Sequence, residues 1–562
     1  MIAFLSLEKM KANWKSGLTV ALISIPLSLS LAIASGATPL QGILTAVWAG
    51  LVYSFFAGSK YNVVGPAGAL SGILALFAFA HGFEALPSLA VITGLFILVA
   101  YFLKLERYLV FVPASALHGF TLGVALTIGL GQFNFAVGLS GLVKHEKLVD
   151  NLSESFHHIG AASPLTFILF LVFLAGLFLF SRWTPKMPGA VILAPIGIII
   201  GMLSSQGMIP FTLQTLQSTY GDLQMQLFAF SQPTISWDIV ITALTVAFVA
   251  ILETLISANI ADGMAKTKHK YGRRKEMKAL AFANIASGIF GGLPATGVFA
   301  RTALNVKTGA TDRTACFLQS VFVALISIFL FGYFKYIPLA VIAAILVFAA
   351  IRMVELHHYR RAYDFDRYGF WIMILVAFLT VYHDPMTGIL AGTAIALVLF
   401  MEKMSQGQFE LVFNNPDKHV LGSVMGDKEV VMSEDHTFEQ CHTMVYSLKG
   451  QLAYLNVLAH IDRFEKKLTD YEHVILRFRE LSFIDLDGVD AFDEIVDIVE
   501  RKGKQVYVSG VNQLVATMLS HSKHYHRLKE NGRVFDKTTS VLSSLGYGKM
   551  GYYEKAVVEA IG

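Results

Sequence analysis

The sequence predicts an α-helical membrane protein with fourteen spans, followed by a small α/β domain outside the membrane. Of its 562 residues, 55% are hydrophobic and 15% are charged, whereas soluble domains carry about 25% charged residues. The apolar residues form long uncharged runs such as 164–181 and 337–351, close to the length that crosses a hydrocarbon core of about 30 Å. This composition excludes a soluble enzyme, a disordered chain and a nucleic-acid-binding protein.

Fourteen apolar runs can be separated along the first 403 residues, and we expect each of them to be a membrane helix. We expect the first run to be a retained helix rather than a signal peptide, because a second hydrophobic segment follows it at once. The runs divide into two halves of seven. The predicted spans are 16–34, 38–57, 65–81, 87–104, 109–131, 164–181, 188–204, 237–260, 279–293, 298–308, 314–333, 337–353, 369–382 and 385–402.

The distribution of charge predicts the topology. Residues 1–403 carry 26 Lys and Arg and 17 Asp and Glu, whereas residues 404–562 carry 18 Lys and Arg and 23 Asp and Glu. Loop 261–278 holds seven basic residues and two acidic ones, Asp262 and Glu276, whereas the long 205–236 segment has no basic residue. Because Lys and Arg concentrate in cytoplasmic loops, this pattern places both termini in the cytoplasm, in a multi-pass protein of the cell (inner or plasma) membrane.

The tail, residues 404–562, is predicted to be a cytoplasmic α/β domain attached to a transmembrane domain of residues 1–403. Three strands are expected at 443–448, 473–478 and 504–509, with helices at 453–468 and 488–502 between them. Cys316 and Cys441 fall in different domains and offer neither a disulfide framework nor a metal-binding spacing. We therefore expect no bound metal.

Two predicted spans begin with Gly- and Pro-containing segments at corresponding positions of the two halves. Residues 63–70 (VVGPAGAL) open the third span, and residues 291–301 (GGLPATGVFAR) lead into the tenth. Paired interruptions of this kind are typical of transporter binding sites. A helix that begins inside the bilayer leaves free N–H groups and a partial positive charge there, so two facing ends would bind an anion. The alternative is a pair of kinks that allow close helix packing.

Ionisable residues inside predicted spans are costly to bury and usually functional. Glu253 lies in the middle of the eighth span with Ser257 one turn further on, and Arg301 lies at the start of the tenth. Glu253 could take up a proton, bind a sodium ion or form a structural ion pair with Arg301. Arg301 could create an electropositive site or tie backbone carbonyls together. We expect His118 to be a packed residue and Asp384 a helix N-cap.

Four of the spans resemble those of the SulP/SLC26 anion transporter family, and the tail resembles its STAS domain. The resemblance extends over nearly the whole chain. It rests on Gly17–Pro26 with Ala32–Gly36 in the first span, Val64–Ala69 in the third, Glu253–Leu255 with Asp262–Met264 in the eighth, and Ala300–Ala310 in the tenth.

The resemblance implies a seven-plus-seven inverted repeat with a core and a gate domain, the UraA-like fold shared with nucleobase transporters. It also implies a homodimer, an elevator movement, and substrate held between the N-termini of spans three and ten with span one lining the pocket. Members with Glu at the position of Glu253 are thought to couple to protons, whereas sodium–bicarbonate members tend to have Asp. Carried over by position, the substrate-binding residues are Ile25, Leu27, Leu31, Ala67, Gly68, Ala69, Leu70, Phe299, Ala300, Arg301 and Thr302, and the coupling residues are Glu253 and Ser257.

Two departures from the family pattern make the implied pocket less polar. Leu27 follows Pro26 where animal members often have Gln, and Ala300 precedes Arg301 where a serine is common. In the tail, Leu486 replaces the serine that related anti-sigma antagonists phosphorylate. This replacement argues against a phosphorylation switch at that position.

We therefore expect a secondary active transporter of small anions rather than an enzyme, with sulfate, bicarbonate and C4-dicarboxylates all admissible as substrates. The expected mechanism is proton-coupled symport without a cofactor. Alternatives are a sodium-coupled bicarbonate transporter, an uncoupled anion channel or exchanger, a sensor that signals through its STAS domain, and a nucleobase transporter. The expected partners are the anion, the lipid bilayer, a second copy of the chain and a cytoplasmic protein at the STAS domain, and no nucleic acid.

Overall fold

The computed structural model describes residues 6–547, apart from 144, 146, 184–188, 210–211, 222–223, 231–235, 268–269, 415–421, 426–427, 431–441 and 468–470. Cys441 lies outside the described residues. The chain divides into two compact units, Met1–Ala396 and Leu397–Gly562. Each unit is described separately below.

The first unit is almost entirely helical, and a helix lies over each of the fourteen predicted spans. Short 3-10 helices at Phe83–Ala85, Leu105–Phe111 and Ile159–Ala161 connect some of them. In chain order the elements are α1 (Leu7–Ala34), α2 (Pro39–Phe56), β1 (Val64–Gly65), α3 (Gly68–His81), α4 (Leu86–Phe102), α5 (Ala114–Leu130), α6 (Phe133–Val137), α7 (Leu148–His157), α8 (Pro164–Trp183), α9 (Gly189–Ser205), α10 (Leu216–Tyr220), α11 (Trp237–Met264), α12 (Arg273–Ile289), β2 (Thr296–Gly297), α13 (Phe299–Lys307), α14 (Thr314–Phe334), α15 (Leu339–Met353), α16 (Leu356–Phe365), α17 (Arg367–Tyr382) and α18 (Pro385–Ser405).

Many of these helices are long and apolar enough to cross a membrane. Nine helical stretches of the described chain meet that requirement, and three shorter apolar helices, α3, α9 and α17, accompany them. A span needs about 20 apolar residues if it crosses alone, so the short helices α3 and α13 can reach only part of the way. The number of complete crossings therefore remains a prediction.

Two helices begin well before the predicted spans. Helix α1 begins at Leu7 rather than at residue 16, because Ser6 caps it and Asn13 is buried against Thr311 and Asp312, at 2.9 and 3.3 Å. Helix α12 begins at Arg273 rather than at residue 279. The predicted loop 261–278 is therefore largely helical, and Glu276, counted there as a loop charge, is fully buried.

The helices of the first unit pack in two groups. The first group consists of α1, α2, α4, α11, α12, α13 and α14, and the second consists of α5, α6, α8, α9, α15 and α17. Helix α3 contacts α1 and α11 of the first group and α5 of the second. This division corresponds to the expected core and gate domains, with α3 at their boundary.

Asp384 is the expected N-cap of α18. Its Oδ1 accepts hydrogen bonds from the backbone N–H groups of Met386 at 2.8 Å and Thr387 at 3.0 Å. His118 is half-buried on α5 and its ring stacks on that of His358, with 4.1 Å between the centroids. The expected packed role of His118 is therefore confirmed.

The second unit is a mixed sheet flanked by helices. Its strands lie in the order β5-β4-β3-β6-β7-β8-β9, with antiparallel pairing from β5 to β6 and parallel pairing from β6 to β9. The three predicted strands and two predicted helices are all present. The elements are β3 (Gln408–Asn414), β4 (Gly422–Met425), β5 (Lys428–Val430), β6 (Thr443–Leu452), α19 (Val457–Lys467), β7 (His473–Ile484), α20 (Leu486–Arg501), β8 (Gln505–Ser509), α21 (Gln513–Leu519), α22 (Lys523–Glu530), β9 (Val534–Phe535) and α23 (Thr538–Ser544).

Candidate anion-binding site

A two-stranded sheet brings the N-termini of α3 and α13 together. Val64 pairs with Gly297 and Gly65 pairs with Thr296 in antiparallel register, and the N–H of Val298 donates to the carbonyl of Val63 at 2.8 Å. Each strand leads directly into its helix. Because the strands are antiparallel, the two helices leave this short pairing at its opposite ends and run apart, as an inverted repeat requires.

Neither of these helix N-termini has a side-chain cap. The N-cap residues are Ala67 for α3 and Val298 for α13, and neither side chain can accept a hydrogen bond. By contrast, Ser6, Thr38 and Ser236 cap α1, α2 and α11 through their hydroxyl groups. The first N–H groups of α3 and α13 therefore remain available to an anion, which the helix dipoles also favour.

The predicted residues of α13 divide into two exposed and two buried positions. Phe299 is 36% exposed and Ala300 is also exposed, whereas Arg301 is 1% exposed and Thr302 is fully buried. The N-terminal face that an anion could reach is therefore formed by Phe299 and Ala300. Arg301 and Thr302 support this face from the interior of the first helix group.

The guanidinium group of Arg301 lies against the backbone of β1. Its Nη2 donates to the carbonyl of Pro66 at 3.3 Å, and a Cβ added to Gly65 would lie only 2.6 Å from Nη1. The Nε and Nη1 groups are shielded from solvent and have no hydrogen-bond partner. Arg301 thus holds a backbone carbonyl of the segment that leads into α3, and its Nε and Nη1 donors have no partner among the described residues.

The N-terminus of α3 lies at the boundary between the two helix groups. Ala67, Gly68, Ala69 and Leu70 are all buried there. A Cβ added to Gly68 would lie 2.7 Å from Ile128 Cδ1 of α5, 3.5 Å from Met353 Sδ of α15 and 3.8 Å from Leu31 Cδ2 of α1.

Span one, helix α1, contacts α3, and Leu31 is its residue beside Gly68, as expected. Ile25 is buried and Leu27 is partly exposed, each at least one turn further back on α1. Ile128 and Met353 are further neighbours of Gly68 that sequence reasoning missed, because nothing in an apolar helix pattern distinguishes them from ordinary core residues.

Glu253 lies on α11, close behind β2. Its side chain is partly buried beside Thr296, and its Oε2 is shielded from solvent without a hydrogen-bond partner. Among the described residues, no ion pair joins Glu253 to Arg301. Both groups also keep buried atoms without a hydrogen-bond partner. The purely structural pair considered from the sequence is therefore not formed.

A network of buried side chains fixes the crossing of β1 and β2. Asn62 Oδ1 accepts hydrogen bonds from Ser257 Oγ at 2.8 Å and from Thr302 Oγ1 at 2.9 Å. Thr302 Oγ1 in turn accepts from the N–H of Val63 at 3.0 Å, and Thr254 Oγ1 accepts from the N–H of Gly297 at 2.8 Å. Ser257 therefore belongs to the polar framework behind the site.

Glu276 of α12 anchors this network and was missed by sequence reasoning. Its Oε2 accepts from the N–H groups of Gly58 at 2.9 Å and Ser59 at 2.8 Å, and its Oε1 accepts from Asn62 Nδ2 at 2.8 Å and from the Tyr53 hydroxyl. Helical spacing could have shown that Glu276 shares the apolar face of α12. The surrounding run of basic residues favoured a loop instead.

These observations define a multi-pass helical membrane transport protein that carries a C-terminal α/β domain. Residues 10–376 match the family model described as the Sulfate permease family, and residues 435–538 match that of the STAS domain. The candidate sulfate transporter YvdB of Bacillus subtilis (strain 168) is 28% identical over 93% of this chain and 96% of its own length. The bicarbonate transporter BicA of Picosynechococcus sp. is 22% identical over 91% of this chain and 90% of its own length.

A solved structure shows the same fold. The murine Slc26a9 anion transporter in its inward-facing state superposes with a TM-score of 0.82 at 16% identity, over 97% of this chain and 93% of that one. The chain belongs to the sulfate permease family and has a C-terminal STAS domain.

Proposed function

We propose that this protein is a secondary active transporter that binds a small anion between the N-termini of α3 and α13. This proposal rests on the uncapped N-termini of α3 and α13, which the pairing of β1 with β2 brings near each other. The unpaired guanidinium donors of Arg301 add positive charge at the same place. Two helix dipoles and one buried cation favour an anion over a neutral or cationic substrate.

The proposed substrate class is a small oxyanion or a C4-dicarboxylate. Relatives are named as transporters of sulfate and of bicarbonate, and a site made mainly of backbone N–H groups discriminates weakly among carboxylate, carbonate and sulfate oxygens. We would test the class by measuring uptake of radiolabelled sulfate, bicarbonate, fumarate and succinate into proteoliposomes. Uptake of none of them under any ion gradient would contradict the proposal.

We propose that Glu253 couples transport to protons. Its carboxyl group lies directly behind the strand that leads into α13, without an ion pair, so its charge can change with the occupancy of the site. Coupling to sodium and uncoupled exchange or channel conduction are the alternatives. A channel needs no titratable group at this position.

The variant Glu253→Gln tests this coupling. We expect it to be expressed normally and to lose most proton-driven uptake, whereas Glu84→Gln, at an exposed position between α3 and α4, should transport like the wild type. Uptake is measured in proteoliposomes with an imposed pH gradient and, separately, an imposed sodium gradient. Unchanged pH-dependent uptake by Glu253→Gln would remove the coupling role, and a selective loss of sodium-driven uptake would identify sodium as the coupled ion.

We further propose that the transporter works by an elevator movement in a homodimer. The two helix groups meet at α3 and also where α1 contacts α9 and α15, so sliding of one group against the other would carry the anion site across the membrane. We assign residues 1–403 to the transport domain and 404–562 to a cytoplasmic STAS domain that can bind a partner protein. Both termini then lie in the cytoplasm, and the protein resides in the cell membrane.

A further inference from the structure

A cluster of imidazole and carboxylate groups lies where α15 leads into α16. Glu355 is the N-cap residue of α16, and His357 and His358 follow in its first turn. One ligand atom from each of these three residues lies within 4.8 Å of the other two. We propose that Glu355, His357 and His358 form a binding site for a divalent transition-metal ion of the zinc type.

The three side chains are already arranged much as such an ion requires. His358 Nε2 lies 2.9 Å from Glu355 Oε2, and the rings of His357 and His358 are neighbours with 3.9 Å between their centroids. Tetrahedral coordination at Zn–N and Zn–O distances of about 2.0–2.2 Å places ligand atoms about 3.4 Å apart. Rotation of the exposed side chains of Glu355 and His357 is enough to reach that geometry.

His118 provides a third imidazole beside the cluster. Its ring stacks on that of His358, and its backbone carbonyl accepts a hydrogen bond from the Tyr359 hydroxyl at 2.6 Å. The start of α5 is therefore fixed against α16. In the proposed site, the fourth coordination position is taken by His118 or by water, and a bound ion would reinforce the contact between α5 and α16.

The donor set of the cluster favours a metal that binds imidazole. Mg²⁺ and Ca²⁺ bind mainly through anionic and carbonyl oxygens, whereas the cluster offers two imidazoles and a single carboxylate. Neutral imidazole nitrogen suits Zn²⁺ and Ni²⁺.

The test is a binding measurement on the purified full-length chain without a polyhistidine tag. We expect equilibrium dialysis to show saturable binding of Zn²⁺ and Ni²⁺, and no comparable binding of Mg²⁺. The double variant His357→Ala/His358→Ala should bind Zn²⁺ at least tenfold more weakly. Glu355→Gln should also weaken Zn²⁺ binding, because it removes the anionic ligand.

A second pair of adjacent histidines provides the matched control. His157 and His158 end α7, but their Nδ1 atoms lie 2.7 and 3.0 Å from the carbonyls of Ser153 and Glu154 in the preceding turn. The variant His157→Ala/His158→Ala should keep the affinity of the wild type for Zn²⁺. An equal loss in both double variants would show that the binding is not specific to the cluster, and would overturn the proposal.

Thermal unfolding gives a readout that does not depend on comparing affinities. Zn²⁺ should raise the unfolding temperature of the wild type and of the His157/His158 variant, but not that of the His357/His358 variant. This result also shows that the latter variant is folded, because its unfolding transition is seen without metal. A wild-type chain that neither binds Zn²⁺ nor is stabilised by it would contradict the proposal.

Discussion

The carboxylate of Glu276 accepts hydrogen bonds from the Tyr53 hydroxyl, the Asn62 amide and the backbone N–H groups of Gly58 and Ser59. These donors lie in the last turn of α2 and in the segment that leads from it into β1. A fully buried carboxylate is stable only when such donors replace its lost hydration. Glu276 thus holds the chain that leads into β1, and through Asn62 it also fixes the start of α13.

Replacing Glu276 should destabilise the protein. In Glu276→Gln only one side-chain oxygen remains to accept hydrogen bonds. The new NH₂ group faces hydrogen-bond donors that it cannot pair with. We expect a loss of about 2–4 kcal/mol, measured as a lower unfolding temperature of the detergent-solubilised protein. Glu84→Gln is the exposed control and should unfold like the wild type. Equal unfolding temperatures for both variants would show that the network does not stabilise the fold.

At the scale of elements, the sequence predicted the helices well and their junctions poorly. Apolar runs of 15–20 residues are unmistakable, and Gly-Pro segments marked the starts of α3 and α13. The two-residue strands β1 and β2 could not be predicted, because so short a pairing has no periodicity. The burial of Asn62 and Glu276 was equally hidden, since it follows from contacts between residues more than 200 positions apart.

The exposed N-terminus of α13 allows a test in which transport and stability should change in opposite directions. In Ala300→Asp a carboxylate is placed in the first turn of the helix, where it would occupy the proposed anion site. We expect uptake to be largely lost, while stability stays equal or rises by about 0.3–1 kcal/mol. Ala300→Asn has nearly the same shape without the charge and should retain most uptake. Equal losses in the two variants would indicate a steric effect instead.

In the STAS domain, the packing of α19 on β6 should make stability depend on pH. His460 is fully buried and its Nδ1 lies 2.7 Å from the Tyr446 hydroxyl; burial, together with the nearby positive charge of Arg463, lowers its pKa to about 4. The unfolded chain has a histidine pKa of about 6.5 and so binds a proton that the folded domain excludes. Stability should be constant above pH 6.5 and fall as pH decreases toward 4, by up to about 3 kcal/mol.

Hydrogen exchange of the β6 and α19 amides in the full-length chain, corrected for intrinsic rates, measures this dependence. The exposed His521 provides the control variant His521→Gln, which should keep the wild-type dependence on pH. His460→Gln should remove most of it. Persistence of the full dependence in His460→Gln would assign it to other groups.

At the scale of the whole molecule, the proposed anion site lies in the first unit and the STAS domain forms the second. We therefore expect the two units to have different functions. In the proposed mechanism selectivity arises from the ends of α3 and α13, which lie entirely within the first unit. Deletion of residues 404–562 should therefore impair assembly or the rate of uptake more than it alters which anion is carried. Competition between unlabelled anions in the uptake assay measures this, and a changed order of preference would contradict it.

The position of the bound anion is the central claim, and a structure determined with the anion identified by the uptake panel tests it most directly. We predict density between α3 and α13, within hydrogen-bonding distance of the N–H groups of Gly68 and Ala69 and of those at Phe299–Arg301. Saturable density at another place, with these two helix ends unoccupied, would contradict the account.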